Sequence, residues 1–166
     1  MRRAYDASAS LRAPETSEGP PLAEQYGALA WRKSRTKGLR VLLITSRERG
    51  LWILPKGWPM PGLSPHRTAA REALEEAGVF GTISAEPCGS YRYAKVLADG
   101  QAIACRVTIY PLLVKATLVD WRESKDRRRK WFSLPEAVGA VSEPGLAQFL
   151  QDLAQTWAGE GEPDGL

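Results

Sequence analysis

Apolar and polar positions alternate along most of the chain in short β-type runs, interrupted once by a helix-type stretch in the middle and again near the end. Tyr26–Arg32 and Leu39–Thr45 are two β-rich runs separated by the polar Lys33–Gly38. That predicts a hairpin with Arg32, Lys33, Arg35, Lys37 and Arg40 around its turn. The short run Leu51–Leu54 follows, and Pro55 stops regular pairing because it has no N–H. Further strands are predicted at Val79–Ser84, Gly89–Leu97 and Gln101–Ala116, with Ala98-Asp99-Gly100 as a hairpin turn, and at Lys130–Phe132.

The central helix is predicted from Pro65 to about Ala77, with Ser64 as its cap and Gly78 as a left-handed terminator. Ala70, Ala73, Leu74 and Ala77 supply its inward face, and their small size brings the helix close to a sheet. A short helix is predicted over Leu134–Val141. A closing amphipathic helix follows over Gly145–Trp157, with Leu146, Phe149, Leu150 and Leu153 on one face. Strands before, around and after a central helix, with a last helix to cover the opposite face, predict an α/β fold: a central mixed sheet sandwiched between helices. Residues 1–24 lack either period and read as a flexible leader, residues 25–157 as one domain, and residues 158–166 as a flexible tail.

Composition narrows the class without naming a function. A chain of 166 residues, 43% apolar and 25% charged, is long enough for one ordinary hydrophobic core. The two cysteines, Cys88 and Cys105, form no C-x-x-C pair and have no histidine cluster beside them, which excludes a disulfide framework and a zinc site and points to a reducing cytoplasm. Arg2 and Arg3 are not followed by an apolar segment, and no run reaches the length of a membrane span, so no membrane partner is expected. The net charge of +4 suits an anionic partner, but no nucleic-acid reading motif accompanies it. No pattern specifies an oligomer.

The chemistry concentrates between Gly57 and Val79. Glu72, Glu75 and Glu76 share one helix stripe, since positions three and four apart are neighbours. Clustered carboxylates repel unless a cation lies between them, and hard oxygen donors select Mg²⁺ or Mn²⁺, with substrate phosphate and water completing the shell. A solvated acidic face is the plain alternative for these three residues taken alone. The preceding loop, Lys56-Gly57-Trp58-Pro59-Met60-Pro61-Gly62, shifts the balance toward a phosphate site. It offers glycines for close backbone approach, a lysine for phosphate and a ring that can shield.

This stretch resembles the signature of the Nudix hydrolases, G-x5-E-x7-R-E-U-x-E-E-x-G-U, with Gly57, Arg71, Glu72, Glu75, Glu76, Gly78 and Val79 at the required spacing. One position departs: Leu63 stands where the family has its first glutamate. The order of elements extends the similarity over roughly residues 26–153, and Trp52–Gly57, Trp121–Ser124 and Arg128–Phe132 look most like the diphosphoinositol polyphosphate phosphohydrolases and their bacterial relatives.

The resemblance implies a Nudix-like α/β/α sandwich and a metal-dependent hydrolase that cleaves a diphosphate linkage in a small phosphorylated substrate, a dinucleoside polyphosphate or a diphosphoinositol polyphosphate. It implies Mg²⁺ or Mn²⁺ on Glu72 and Glu76. Glu75 is then a further ligand or the base that activates water, and Arg71 orients the acidic cluster. Lys56, Gly57 and Trp58 are expected to meet substrate, together with Arg128 and Lys130 from the densest positive run. Glu123 is a candidate for an additional acid outside the box. The competing readings are hydrolysis of ADP-ribose, a nucleotide sugar or a nucleoside triphosphate, and a sensor that binds a phosphorylated ligand without turnover, for which Leu63 is the sequence support.

Overall fold

The computed structural model describes residues 22–160, with side chains to residue 158. The leader expected over residues 1–24 therefore lies outside the described residues except at its end. There it is corrected: Ala23 and Glu24 already belong to strand β1 (Ala23–Ser34), which runs parallel to a later strand from Ala23 opposite Cys105 onward. The remaining strands are β2 (Gly38–Thr45), β3 (Trp52–Ile53), β4 (Lys56–Gly57), β5 (Val79–Ile83), β6 (Gly89–Val96), β7 (Ala102–Thr117) and β8 (Arg129–Phe132).

They form one mixed sheet. The long strand β7 pairs parallel with β1, and along its antiparallel side it takes β6 over its first half and β5 over its second. Beyond the tip of the β1–β2 hairpin the two strands splay, and β3 pairs with β2 while β4 pairs with β1. Strand β8 pairs with the far side of β2.

Alternation along β1 and β2 sends side chains to two cores. Leu29, Trp31, Val41 and Leu43 pack on Leu146, Phe149, Leu150 and Leu153 of the closing helix α3 (Pro144–Glu160), beside the short helix α2 (Leu134–Ala140). Each fully buried leucine contributes about 2 kcal/mol, so α3 is anchored independently of any ligand. Helix α3 continues through residues 158–160, which corrects the expected start of the tail, and residues 161–166 lie outside the described residues.

On the other face, Ala28, Ala30, Leu42 and Ile44 meet the central helix α1 (Pro65–Glu72) and its continuation through Ala69, Ala73 and Ala77. Alanine facing alanine lets that helix lie close to the sheet. The inward stripe is thus Thr68, Ala69, Ala73 and Ala77, all fully buried, whereas Ala70 and Leu74 are only half-buried.

Two local features differ from the sequence expectation. Ser64 stands at the N-cap position in extended backbone, but its hydroxyl lies 3.3 Å from His66 Nδ1 and caps nothing. The last turn, Ala73–Ala77, is π-helical, ending where Gly78 adopts φ +64° and its N–H reaches the Ala73 and Leu74 carbonyls. A π-turn carries the same apolar pattern as an α-turn, but it widens the spacing of its side chains and is frequent at functional sites.

Candidate active site

The β4 dipeptide divides the site. Gly27, the partner of Lys56, faces the Ile109 side of the sheet, so Lys56 points toward α3, and Gly57 turns its Cα toward α1. The Glu72 carboxylate lies directly on Gly57, where a Cβ would come within 2.2 Å of Glu72 Oε1. Glycine is therefore required here by close approach, not by a special φ.

Glu72 and Glu76 form the centre of the acidic group. Burial, then a hydrogen bond to the Glu76 side chain, then the charges of Glu76 and Glu75 push the Glu72 carboxyl up from its ordinary value near 4.5 to about 8. At neutral pH Glu72 is therefore mostly protonated. Glu76 is 6% exposed; its Oε2 accepts the Lys56 N–H at 3.4 Å and lies 3.8 Å from the Arg127 guanidinium. Two carboxylates this close, with Glu72 pushed up by burial and by its acidic neighbours, fit Mg²⁺, which is bound through one or two carboxylates plus substrate phosphate. Among the described residues no three acidic, histidine or cysteine side chains form a ready-made metal cage. The fit is to a site that substrate and water complete.

Glu75 stands apart from this pair. Its Oε1 accepts from Arg122 at 3.2 Å and it is partly exposed. Glu123, the candidate acid outside the box, is brought to the cluster: it is 7% exposed, its N–H donates to the Glu75 carbonyl at 3.2 Å, and its carboxylate is ion-paired with Arg47 and Arg127.

Arg71 is not brought in. It is exposed and makes no hydrogen bond or ion pair among the described residues. Leu63 occupies the position of the missing glutamate and is half-buried.

The positive run is also redistributed. In β8, Lys130 stands opposite Leu43 and Arg129 opposite Ile44, so Lys130 projects on the α3 face and Arg129 on the α1 face. Lys130 Nζ lies 5.1 Å from the Phe132 ring of β8 and Arg128 Cζ 5.8 Å from the Trp52 ring of β3. Neither reaches the carboxylates. The β1–β2 hairpin is farther still: its tip lies seven residues beyond Gly27, roughly 23 Å along the strand. Arg32 there covers Trp131 at 4.0 Å and Arg40 pairs with Glu136 at 3.5 Å.

Lys56 has surroundings that the sequence did not predict. Its ammonium lies 4.8 Å from the Tyr93 ring, and burial lowers its pKa against the opposing charges of Glu76 and Glu143. Tyr93 donates to Gln25 Oε1, while the Tyr91 hydroxyl and Glu143 Oε2 are buried without hydrogen-bond partners. These unpaired oxygens border the lysine on the α3 face. Trp58 is 41% exposed on the loop, with Lys95 Nζ 5.9 Å from its ring.

Two side chains tie the segment after Trp121 to the helix end. The Trp121 indole N–H donates to the Glu76 carbonyl at 3.0 Å. Arg129 donates to the Ala77 and Gly78 carbonyls at 2.9 and 3.3 Å while stacking 3.9 Å from Trp121. An arginine that satisfies helix-terminal carbonyls is a recognised capping device.

A family model for the NUDIX domain matches residues 24–153. Nudix hydrolase 13, mitochondrial, of Arabidopsis thaliana is 30% identical over 128 residues, covering 74% of this chain and 63% of that protein. The chain thus spans a little under two thirds of that relative's length. Diphosphoinositol polyphosphate phosphohydrolase 3-alpha of Homo sapiens is 32% identical over 117 residues, covering 68% of this chain and 67% of that protein. A C. elegans Ap4A hydrolase in a binary complex shares the fold, with a TM-score of 0.61 and 22% identity over 83% of this chain and 99% of that one. The mitochondrial name of the Arabidopsis relative overturns the cytoplasmic expectation. Unpaired cysteines report a reducing environment and do not distinguish one reducing compartment from another. Among the described residues no helix is long and apolar enough to cross a membrane.

Proposed function

The chain belongs to the Nudix family, and from that premise we propose that it is a metal-dependent hydrolase of a diphosphate linkage, acting on a dinucleoside polyphosphate or a diphosphoinositol polyphosphate. The observation that carries this reading is the Glu72 carboxylate lying against Gly57 beside Glu76, with the Lys56 N–H on one Glu76 oxygen.

Glu72 and Glu76 would hold Mg²⁺, or Mn²⁺ in its place; the cation supplies charge neutralisation of the diphosphate and of its leaving group. Gly57, without a Cβ, leaves the room in which the Glu72 carboxylate lies against β4. Lys56, on the opposite face of the same dipeptide, meets the substrate's anionic continuation, and Trp58 shields it. Glu75, held at the rim by an exposed ion pair, takes the proton from the attacking water. Arg128 and Lys130, both exposed, would meet the distal phosphates of a long substrate.

The sensor reading draws on two observations, Leu63 and the unpartnered, exposed Arg71. A panel of diphosphate-linked compounds incubated with Mg²⁺ or Mn²⁺, with every product resolved, decides between them. Hydrolase activity predicts cleavage of a dinucleoside polyphosphate or a diphosphoinositol polyphosphate into a defined product pair. Cleavage of ADP-ribose, a nucleotide sugar or a nucleoside triphosphate instead would replace the substrate assignment, and tight binding without any product would establish the sensor.

A further inference from the structure

An acidic pair that must present oxygens to a cation needs a partner that fixes its rotamers. In this chain the signature arginine does not supply one: Arg71 is exposed and unpaired among the described residues, and Leu63 offers it no carboxylate. A different guanidinium lies at the site. Arg127 has a side chain only 10% exposed, 3.8 Å from Glu76 Oε2 and 3.5 Å from Glu123 Oε1, and it donates to the Thr45 carbonyl at 3.1 Å. Its Nε is buried with no hydrogen-bond partner.

We propose that Arg127, and not Arg71, is the positioning arginine of the carboxylate site, clamping one oxygen of Glu76 so that the other is left to Glu72 and the cation. The clamp has two anchors. On one side the Thr45 carbonyl, at the end of β2, fixes the guanidinium to the sheet. On the other, Glu123 neutralises it without competing for metal, because its own carboxylate is already held by Arg47 and Arg127.

The planar fork matters as much as the charge. A single ammonium cannot span Glu76, Glu123 and the Thr45 carbonyl at once. The Lys56 N–H binds the same Glu76 oxygen from the opposite strand, so the carboxylate is gripped between β4 and the Trp121–Arg128 loop. The charged loop that lacks any sequence period thus acquires a role: it delivers a guanidinium that the signature no longer provides.

The inference rests on the reading of Glu72 and Glu76 as metal ligands, and the test separates the two. Free Mn²⁺ is followed by its EPR signal during titration of the full chain without substrate. Arg127→Lys retains the charge and is expected to weaken Mn²⁺ binding about tenfold or more, the usual effect of removing an outer partner of a ligand, while Arg71→Lys leaves it within about twofold. In turnover, Arg127→Lys is expected to lower kcat at limiting Mn²⁺, with recovery at saturating Mn²⁺ and an unchanged KM for substrate. A merely structural loss would not be rescued in that way.

Glu123→Gln loosens the far anchor and is expected to weaken Mn²⁺ binding in the same direction, which decides the matter should Arg127→Lys fail to fold. Wild-type affinity in a folded Arg127→Lys, or in Glu123→Gln, or an equal loss in Arg71→Lys, overturns the inference alone. Failure of the unmodified protein to bind Mn²⁺ overturns the metal site and the inference together.

Discussion

Gly57→Ala folds with nearly unchanged stability and loses turnover by about a hundredfold or more. The reasoning is steric. A Cβ at this position would meet Glu72 Oε1 at 2.2 Å and Glu72 Cδ at 2.4 Å, distances that cannot persist. What yields is the end of a flexible, half-buried side chain, so the cost to folding is small. What moves is a carboxylate of the central pair, and a displacement of about 1 Å in a positioning group costs on the order of a hundredfold in rate. Thermal unfolding and kcat measured on the same preparation check both halves. Retained activity would mean that the position of Glu72 against β4 is irrelevant to the chemistry.

Glu75→Gln should likewise preserve the fold and remove most turnover, by about 10² to 10⁴, the usual contribution of a general base. Glu75 loses only an ion pair with the exposed Arg122, and such a pair contributes about 0 to 1 kcal/mol. Stability and activity are therefore expected to separate cleanly. If kcat stays within about threefold of the unmodified protein, Glu75 is no more than a surface partner of Arg122, and the water must be activated by another group.

Much of the fold follows from local pattern. Runs of β-forming residues located the long strands to within a few residues; β1 and β2 read as near-continuous apolar runs because each buries one face in the α1 core and the other in the α3 core. Strand β4 was not legible, because two residues have no period, and Lys56 and Gly57 become a strand only through pairing with Gly27 and Tyr26 of β1. Nor was the π-turn, which keeps the alanine spacing of an α-helix.

The site was legible where spacing alone determines contact and obscure where contact depends on tertiary approach. Glu72 and Glu76 are four residues apart on one helix and do meet. Lys56 and Gly57 adjoin them because Pro55 ends the preceding run and the chain must turn. Arg71 resides in the signature yet faces solvent. Arg127 was hidden among Arg122, Lys125, Arg127, Arg128, Arg129 and Lys130, and only the docking of the Trp121–Arg128 loop on the helix end tells it apart. The same docking splits that run in two, sending Arg127 and Arg129 inward while Arg128 and Lys130 stay on the surface.

The central claim is that Glu72 and Glu76 hold a divalent cation, with Glu72 giving up its proton to do so. With the Glu72 carboxyl at about 8 in the metal-free protein, it is mostly protonated at pH 7 and must ionise when Mg²⁺ binds. Calorimetric titration with Mg²⁺ in two buffers of different ionisation heat measures that proton directly. The account predicts release approaching one proton per bound cation near pH 7, falling toward zero as the pH rises above about 9, where the metal-free pair is already ionised. Binding with no proton release at pH 7, or with release that does not change with pH, would contradict it.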